Sequence, residues 1–371
     1  VGPRYLGLIS GTSVDAIDAA LIEVSADGRP RVLATRATAW NASLRARILD
    51  FAQSSTAIDV DAFGALDAAI GEAFAQAALD LIDAHAIARG SIRAIGSHGQ
   101  TVRHRIDHDP PFTLQLGDAA RIAERTGITT VADFRRRDVA AGGHGAPLLP
   151  ILHAAAFAAA GEARAVLNLG GIANLTLLPG DAAPIRGFDT GPANCLLDAV
   201  FAASGLGLHD DGGRLAASGR VDADVLAGLL AEPWFAQPPP KSTGREHFNR
   251  DWLAARGGAR FAALSLPDRL ATLVELTARS VTEALRVAQP VTRRLIVCGG
   301  GVHNRHLLAR LAAHLPGVAI ETSAAHGIDP DFVEAAGFAW LAHRTLEGLP
   351  GNLPAVTGAR GPRILGAIHR A

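Results

Sequence analysis

Methionine is absent from all 371 residues, the first included, and nothing in the composition accounts for that. Cysteine is nearly absent: Cys195 and Cys298 are the only two. They lie far apart and fit no metal-ligand spacing, so neither a disulfide framework nor a zinc site is expected. An excess of charge is missing too, since 35 basic residues against 36 acidic ones leave a formal net charge of −1. Nucleic-acid binders carry a basic footprint; the densest basic run here, Arg135-Arg136-Arg137, is short and flanked by Asp133 and Asp138, and reads equally well as a solvated loop. Long apolar runs are lacking, the alanine-rich stretch 154–160 being much too short to span a bilayer. Val1-Gly2-Pro3-Arg4-Tyr5 moves into a strand without the charged-then-apolar profile of a secretory leader. Neither a nucleic-acid nor a membrane partner is therefore expected, and the reducing cytoplasm is the default location. No G-x-x-x-x-G-K-S/T loop occurs, which excludes a Walker-type nucleotide site.

What is present suits a two-domain globular enzyme. The length exceeds one ordinary small domain, and 49% apolar residues can fill sizeable cores. Forty glycines cluster between apolar runs rather than recurring periodically, which rules out a collagen-like reading and marks places where backbone can approach a ligand.

Two similar units stand about half a chain apart. In the first, Tyr5-Leu6-Gly7-Leu8-Ile9 and residues 17–24 read as strands around Ser10-Gly11-Thr12-Ser13. In the second, Ala165-Val166-Leu167-Asn168-Leu169 and Leu175-Thr176-Leu177-Leu178 read as strands around Gly170-Gly171-Ile172-Ala173-Asn174. Between them, Phe63, Leu66, Ile70, Phe74, Ala77 and Leu81 fall at helical steps, predicting a helix over 61–88, with a strand over 92–97. Further helices are expected over 195–204 and 266–287, and a buried strand over 295–298 that ends in Gly299-Gly300-Gly301. Pro238-Pro239-Pro240 marks an irregular loop. This alternation argues for α/β layers.

Ser10-Gly11-Thr12-Ser13-Val14-Asp15 gathers small residues, hydroxyls and a carboxylate in one tight turn. Glycine lets backbone N–H groups converge on anionic oxygens, and a carboxylate such as Asp15 can hold Mg²⁺ directly or through water. Taken alone, an ordinary hairpin turn is the plainer reading. The Gly170-Gly171 turn repeats the pattern and Gly299-Gly300-Gly301 adds a third backbone surface; Asn304 stands where the last glycine of a dinucleotide fingerprint would be. Together the three loops favour a nucleotide clasped between two domains. Asp189, in Gly187-Phe188-Asp189-Thr190-Gly191-Pro192, falls before a helix whose first turn could include Pro192, and by itself would read as a helix cap. Among phosphate-type loops it becomes the best general-base candidate. His98, in the polar cluster Ser97-His98-Gly99-Gln100-Thr101 after a strand, is a candidate for substrate contact.

These blocks resemble the anhydro-N-acetylmuramic acid kinase family. The similarity also covers Leu116-Gly117-Asp118, residues 133–138, residues 168–174, Lys241-Ser242-Thr243-Gly244-Arg245-Glu246, Val297-Cys298-Gly299-Gly300-Gly301 and residues 334–340, in family order over nearly the whole chain. The resemblance implies an actin-like α/β fold of two RNase H-like domains, expected at 1–140 with 346–371 and at 141–345. It implies ATP and Mg²⁺ as cofactors, an amino-sugar substrate and a homodimer. It further implies that Gly11, Thr12, Ser13, Asp15 and Asp18 form the first phosphate loop, Gly170, Gly171 and Asn174 the second, and Gly299, Gly300, Gly301 and Asn304 the nucleoside border. Asp189 matches the catalytic aspartate; Ser97, His98, Gly99, Gln100, Asp118, Arg135 and Glu334 are expected near the sugar, with Arg135 suited to a carboxylate. Ile9, Ala16 and Ala193 depart from the family's usual Met, Gly and Gly. A methyl at position 16 would disturb nucleotide binding only where the backbone needs positive φ. Another actin-like sugar kinase, or a non-catalytic sugar sensor of the same fold, are the alternatives.

Overall fold

The computed structural model describes residues 2–54 and 59–371; Val1, part of the N-terminal stretch considered above, lies outside them. Unit 1 comprises Val1–Ala156 with Phe332–Ala371, and unit 2 comprises Phe157–Asp331. The expected division at 140/141 and 345/346 falls elsewhere for a packing reason. Helix Val333–Leu346 lies on the sheet of unit 1, and its Gly337 is covered by Leu149 and Leu152 of the first segment.

In unit 1, β1 (Arg4–Ser10), β2 (Ala16–Val24) and β3 (Pro30–Ala39) form an antiparallel meander, and β4 (Ile92–Arg105) runs parallel to β1. β5 (Phe112–Leu116) pairs antiparallel with the far end of β4, while β6 (Thr130–Ala132) runs parallel to it. A last short strand, Ala367–His369, completes seven among the described residues. In unit 2, β7 (Arg164–Leu169), β8 (Ile172–Leu178) and β9 (Arg186–Pro192) repeat the meander, with β10 (Arg294–Cys298) parallel to β7 and β11 (Ala319–Thr322) parallel to β10. Both sheets thus share one spatial order and the same strand directions, β3-β2-β1-β4-β6 in unit 1 and β9-β8-β7-β10-β11 in unit 2, with β5 added beside the far end of β4. That is the RNase H-like topology, and its duplication makes the α/β architecture actin-like.

Period-two alternation explains the second sheet. Leu167, Leu169, Leu175 and Phe188 join the buried core with Leu273 and Val281 of helix Leu266–Ala288, leaving Asn168, Asn174 and Asp189 at alternate positions. In the first sheet Leu6, Leu8 and Ile95 pack with Ile70, Phe74 and Leu81 of helix Val60–Ala84. That helix stops before the expected residue 88 because Ala86 takes φ 50°, outside the helical region. Gly7 and Gly96 are register partners on β1 and β4. Side chains there would collide with the carbonyls of Ala335 and Phe338, so the pair forms a flat seat for helix Val333–Leu346.

Candidate active site

Asp189 sits within β9, not at a strand-to-helix junction. Pro192 ends that strand, and helix Asn194–Ala202 begins after Ala193 without a side-chain cap. Register places Asn168 opposite Asn174, and Asn174 opposite Asp189, so three polar side chains form a row across β7, β8 and β9. Residues 241–243 hold the carboxylate: Asp189 N donates to Lys241 O at 3.0 Å, while Ser242 Oγ and Thr243 N donate to Oδ2 at 3.0 and 2.9 Å. Oδ1 takes no hydrogen bond from the described residues. Burial pushes the Asp189 pKa up to about 6, with the Thr243 and Ser242 bonds pulling it down, Glu246 raising it and Lys241 lowering it. A carboxyl in this range is a competent proton acceptor near neutrality. Lys241 is spent on structure, with Nζ donating to Phe235 O at 2.9 Å and lying 4.3 Å from the Trp234 ring centroid.

Gly170 and Gly171 form the turn between β7 and β8, and β8 begins at Ile172, earlier than expected, so Asn174 lies on the strand. Ala193 N and Cys195 N donate to Gly171 O, and Asn194 N to Gly170 O, at 3.0, 3.1 and 3.1 Å, which fixes the turn against the start of the next helix. After β10, Gly299 has φ 80° and its Cα faces Asn168 Oδ1 so closely that any side chain would clash. Gly300, Asn304, Asn194, Asp198, Asp210 and His303 help line a cavity of about 430 Å³. Asn304 also caps helix Arg305–His314, its Oδ1 accepting from Leu307 N at 2.9 Å. The volume suits a small ligand. Neither cysteine is bridged.

In unit 1 the turn after β1 carries Gly11, Thr12, Ser13 and Asp15, with Gly11, Thr12 and Asp15 exposed. The strained residue is Val14, at φ 53°, not Ala16, which pairs with Ala39 in ordinary strand geometry. Position 16 therefore needs no positive φ, and at Ala193 φ is also negative, at −119°. Arg45 ties the turn down, donating to Val14 O at 2.7 Å and pairing with Asp15 Oδ1 at 3.2 Å. From β4, Gln100 Nε2 donates to Gly11 O at 3.2 Å. Asp18 follows on β2 and is half-buried. Exposed Asp15 beside hydroxyls can contribute one oxygen to Mg²⁺, which keeps several waters and takes its other ligands from phosphates. No group of three or more His, Cys, Asp or Glu side chains that could hold a metal ion occurs among the described residues.

The strand expected over 92–97 runs on to Arg105, so His98, Gly99 and Gln100 lie inside β4 with Ser97 rather than after it, because β1, β5 and β6 all pair with this strand. Arg135 lies in helix Phe134–Ala140 rather than a loop; Arg136 and Arg137 are exposed on it. Arg135 Nε donates to His98 Nε2 at 2.8 Å, and since arginine cannot accept, that nitrogen carries no proton. The Nδ1 proton then goes to Gly99 O at 2.9 Å. Burial, then Arg135, drive the His98 pKa well below its ordinary value, so the ring is neutral. Burial also lowers the Arg135 pKa, against the pull of the Glu334 and Asp138 carboxylates. Gly99, at φ 74°, admits no side chain because a Cβ would meet Leu116 O at 2.5 Å. Ser97 Oγ and Gln100 Oε1 are buried without a hydrogen-bond partner. Buried orphans of this kind call for a ligand or water. Asp118 has a structural task instead: Oδ1 caps helix Ala119–Thr126 through Ala120 N at 3.0 Å, and Oδ2 pairs with Arg121 at 3.2 Å.

Sequence reasoning passed over Asn168, Ser242, Thr243 and Asp138. Asp138 is fully buried, accepting from Gly145 N, Asn352 Nδ2 and Thr357 Oγ1 at 2.8, 2.7 and 2.8 Å. Its place in a run of charges hid that burial; the alternation along β7 was the available signal for Asn168.

A base-like carboxylate and glycine turns on a duplicated RNase H-like frame define a phosphotransferase of the actin-like class. The chain belongs to the anhydro-N-acetylmuramic acid kinase family: residues 3–371 match the family model described as "Anhydro-N-acetylmuramic acid kinase". Relatives carrying that name include one from Xanthomonas axonopodis pv. citri (strain 306), 59% identical over 100% of this chain and 98% of its own. Another, from Pseudomonas paraeruginosa, is 50% identical over 100% and 99%, and one from Coxiella burnetii is 48% identical over 99% and 97%.

Proposed function

We propose that this chain uses ATP and water to convert 1,6-anhydro-N-acetylmuramic acid to N-acetylmuramic acid 6-phosphate and ADP. The observation that carries the assignment of the base is Asp189, held by two bonds to Oδ2 with Oδ1 unengaged and its pKa raised to about 6. Asp189 Oδ1 takes a proton from water as its oxygen bonds to the anomeric carbon. The bond from that carbon to the 6-oxygen breaks, and the 6-oxygen keeps the electron pair. It then forms the new bond to the terminal phosphorus while the bond to ADP breaks. General-base assistance of this type contributes roughly 10²–10⁴-fold.

The glycine turns at 11 and 170–171, with Thr12, Ser13, Asn174 and Asp18, are assigned to the phosphates. Gly299, Gly300, Gly301 and Asn304 are assigned to the nucleoside, supported by the cavity that Gly300 and Asn304 line. Asp15 would hold Mg²⁺ directly or through water, and the ion would supply positive charge to offset that of the phosphates. Arg135 is assigned to the lactyl carboxylate; Ser97 and Gln100, whose buried oxygens lack partners, to polar groups of the sugar; Glu334 and Gly99 to the walls around them. His98 acts by orienting Arg135, and Asp118 by anchoring the helix after β5. Operation in the cytoplasm, in peptidoglycan recycling and as a homodimer belongs to the same proposal, and light scattering should give twice the 38.3 kDa chain mass.

The test is ADP release by the full chain with 1,6-anhydro-N-acetylmuramic acid, glucose or N-acetylglucosamine. Release that depends on the anhydro sugar alone supports the assignment; equal release with glucose contradicts it.

A further inference from the structure

Residues 241–246 do more than hold the base. Arg245, two residues beyond Thr243, lies over the glycine turn of the same unit. A Cβ built on Gly171 would sit 3.0 Å from both Nε and Nη2 of Arg245 and 3.4 Å from its Cζ. The absence of a side chain at position 171 lets this edge of the guanidinium lie close against the turn, and a methyl there would displace it by a few tenths of an ångström. Arg245 is exposed, and among the described residues it makes no hydrogen bond and no ion pair. Adjacent Glu246 forms no salt bridge with it among the described residues. Glu246 is folded against Gly244 instead. The Cys195 thiol, which Arg245 does influence, is pushed up to about 11 chiefly by burial and is uncharged near neutrality. Lys241, the other cation of the segment, is engaged by the Trp234 and Phe235 carbonyls.

A guanidinium edge that lies at a glycine turn with its N–H groups unbonded presents two parallel donors, the geometry that fits two oxygens of one phosphoryl group. We infer that Arg245 is a further catalytic residue, binding two oxygens of the terminal phosphoryl group of ATP as it moves to the sugar 6-oxygen. This rests on the kinase reading above. The bond between phosphorus and the ADP oxygen breaks as the bond to the 6-oxygen forms, and Arg245 stays protonated throughout, its charge offsetting that spread over the phosphoryl oxygens. One short segment then sets both the proton acceptor and the phosphoryl clamp, so the two steps share a scaffold.

The experiment compares the full-length wild type with Arg245→Ala, Arg245→Lys and Gly171→Ala. It measures kcat, KM for both substrates, ADP affinity by calorimetry and the pH profile. Arg245→Ala should lower kcat by about a hundredfold or more while ADP affinity and the acid limb set by Asp189 stay in place. Added guanidinium ion should restore part of the loss, and Arg245→Lys should retain more rate than Ala. Gly171→Ala, which pushes the guanidinium aside without removing it, should lower kcat in the same sense. An active wild type with Arg245→Ala within about threefold of it in kcat would overturn the inference. So would joint loss of ADP affinity and displacement of the acid limb, which would mark Arg245 as structural. A wild type lacking sugar-dependent ADP release would instead overturn the kinase reading on which the inference rests.

Discussion

Burial and the Glu246 charge raise the Asp189 pKa, while Thr243 N, Ser242 Oγ and Lys241 lower it, and the balance stands at about 6. The reactive form is the carboxylate, so turnover should fall as pH drops through about 6, a limb to be read from kcat/KM against pH. Asp189→Asn should lose roughly 10²–10⁴-fold in kcat and keep its ADP affinity in calorimetry. Ser242→Ala removes a donor that favours the charged form, so the limb should move to higher pH; an unmoved limb would show that another group sets it. His98 contributes no limb near neutrality because Arg135 and burial keep it neutral. Arg135→Ala should raise the KM for the sugar severalfold while the KM for ATP holds, since its guanidinium is assigned to the carboxylate of the sugar alone.

Helix Val333–Leu346 shows how an element depends on residues far away in sequence. Gly7 and Gly96 make its seat, and a methyl at either position meets a helix carbonyl. Gly96→Ala should cost about 1–3 kcal/mol of stability, seen as a lowered Tm. Because the same helix carries Glu334 and Phe338, whose ring lies 4.5 Å from that of His98, the sugar KM should rise more than the ATP KM. Elements built on periodicity were legible in the sequence, among them both hairpins, helix Leu266–Ala288 and strand β10. What was misread follows one rule. Residues His98 to Thr101 and Asp189 lie inside strands, where polar side chains and a glycine replace the apolar alternation that identifies a strand. Arg135 was misread in the opposite sense, because a short charged run looks like a loop until Phe134 and Val139 bury one side of its helix.

At the scale of the whole molecule, the duplication was visible as two matching hairpins, but the unit boundaries were not. They are set by where helix Val333–Leu346 packs, which periodicity does not report. Each unit carries its own share of the assigned contacts. ADP should accordingly slow amide exchange at residues 170–171 and 299–304, and the anhydro sugar should slow it at 97–100 and 134–138, measured by mass spectrometry. Exchange unchanged in one set would remove the corresponding assignment. Burial lowers the pKa of His104 to about 4 and of His153 to about 3, and that of His98 well below the ordinary 6.5. The unfolded chain binds more protons than the folded one once pH falls below the ordinary histidine value, so these groups withdraw stability progressively down to about pH 3. Asp189 opposes this between its ordinary value and about 6, where the folded state holds the extra proton. Burial raises Asp67 and Asp133 as well and lowers His306 and His343, so the lowered histidines still outnumber the raised aspartates, and Tm should fall between pH 7 and pH 5.

The central claim is that ring opening by water and phosphoryl transfer occur together on this chain, with Asp189 as the base. It is tested most directly by running the ATP-coupled reaction with 1,6-anhydro-N-acetylmuramic acid in ¹⁸O water and following the product by mass spectrometry from the earliest times. Early sampling keeps slow exchange of the anomeric oxygen from supplying the label. The account predicts a 6-phosphorylated sugar bearing ¹⁸O at the anomeric hydroxyl, formed by the wild type and lost with Asp189→Asn. An early product with an unlabelled anomeric oxygen, or no product from an enzyme that still binds ADP, would contradict it.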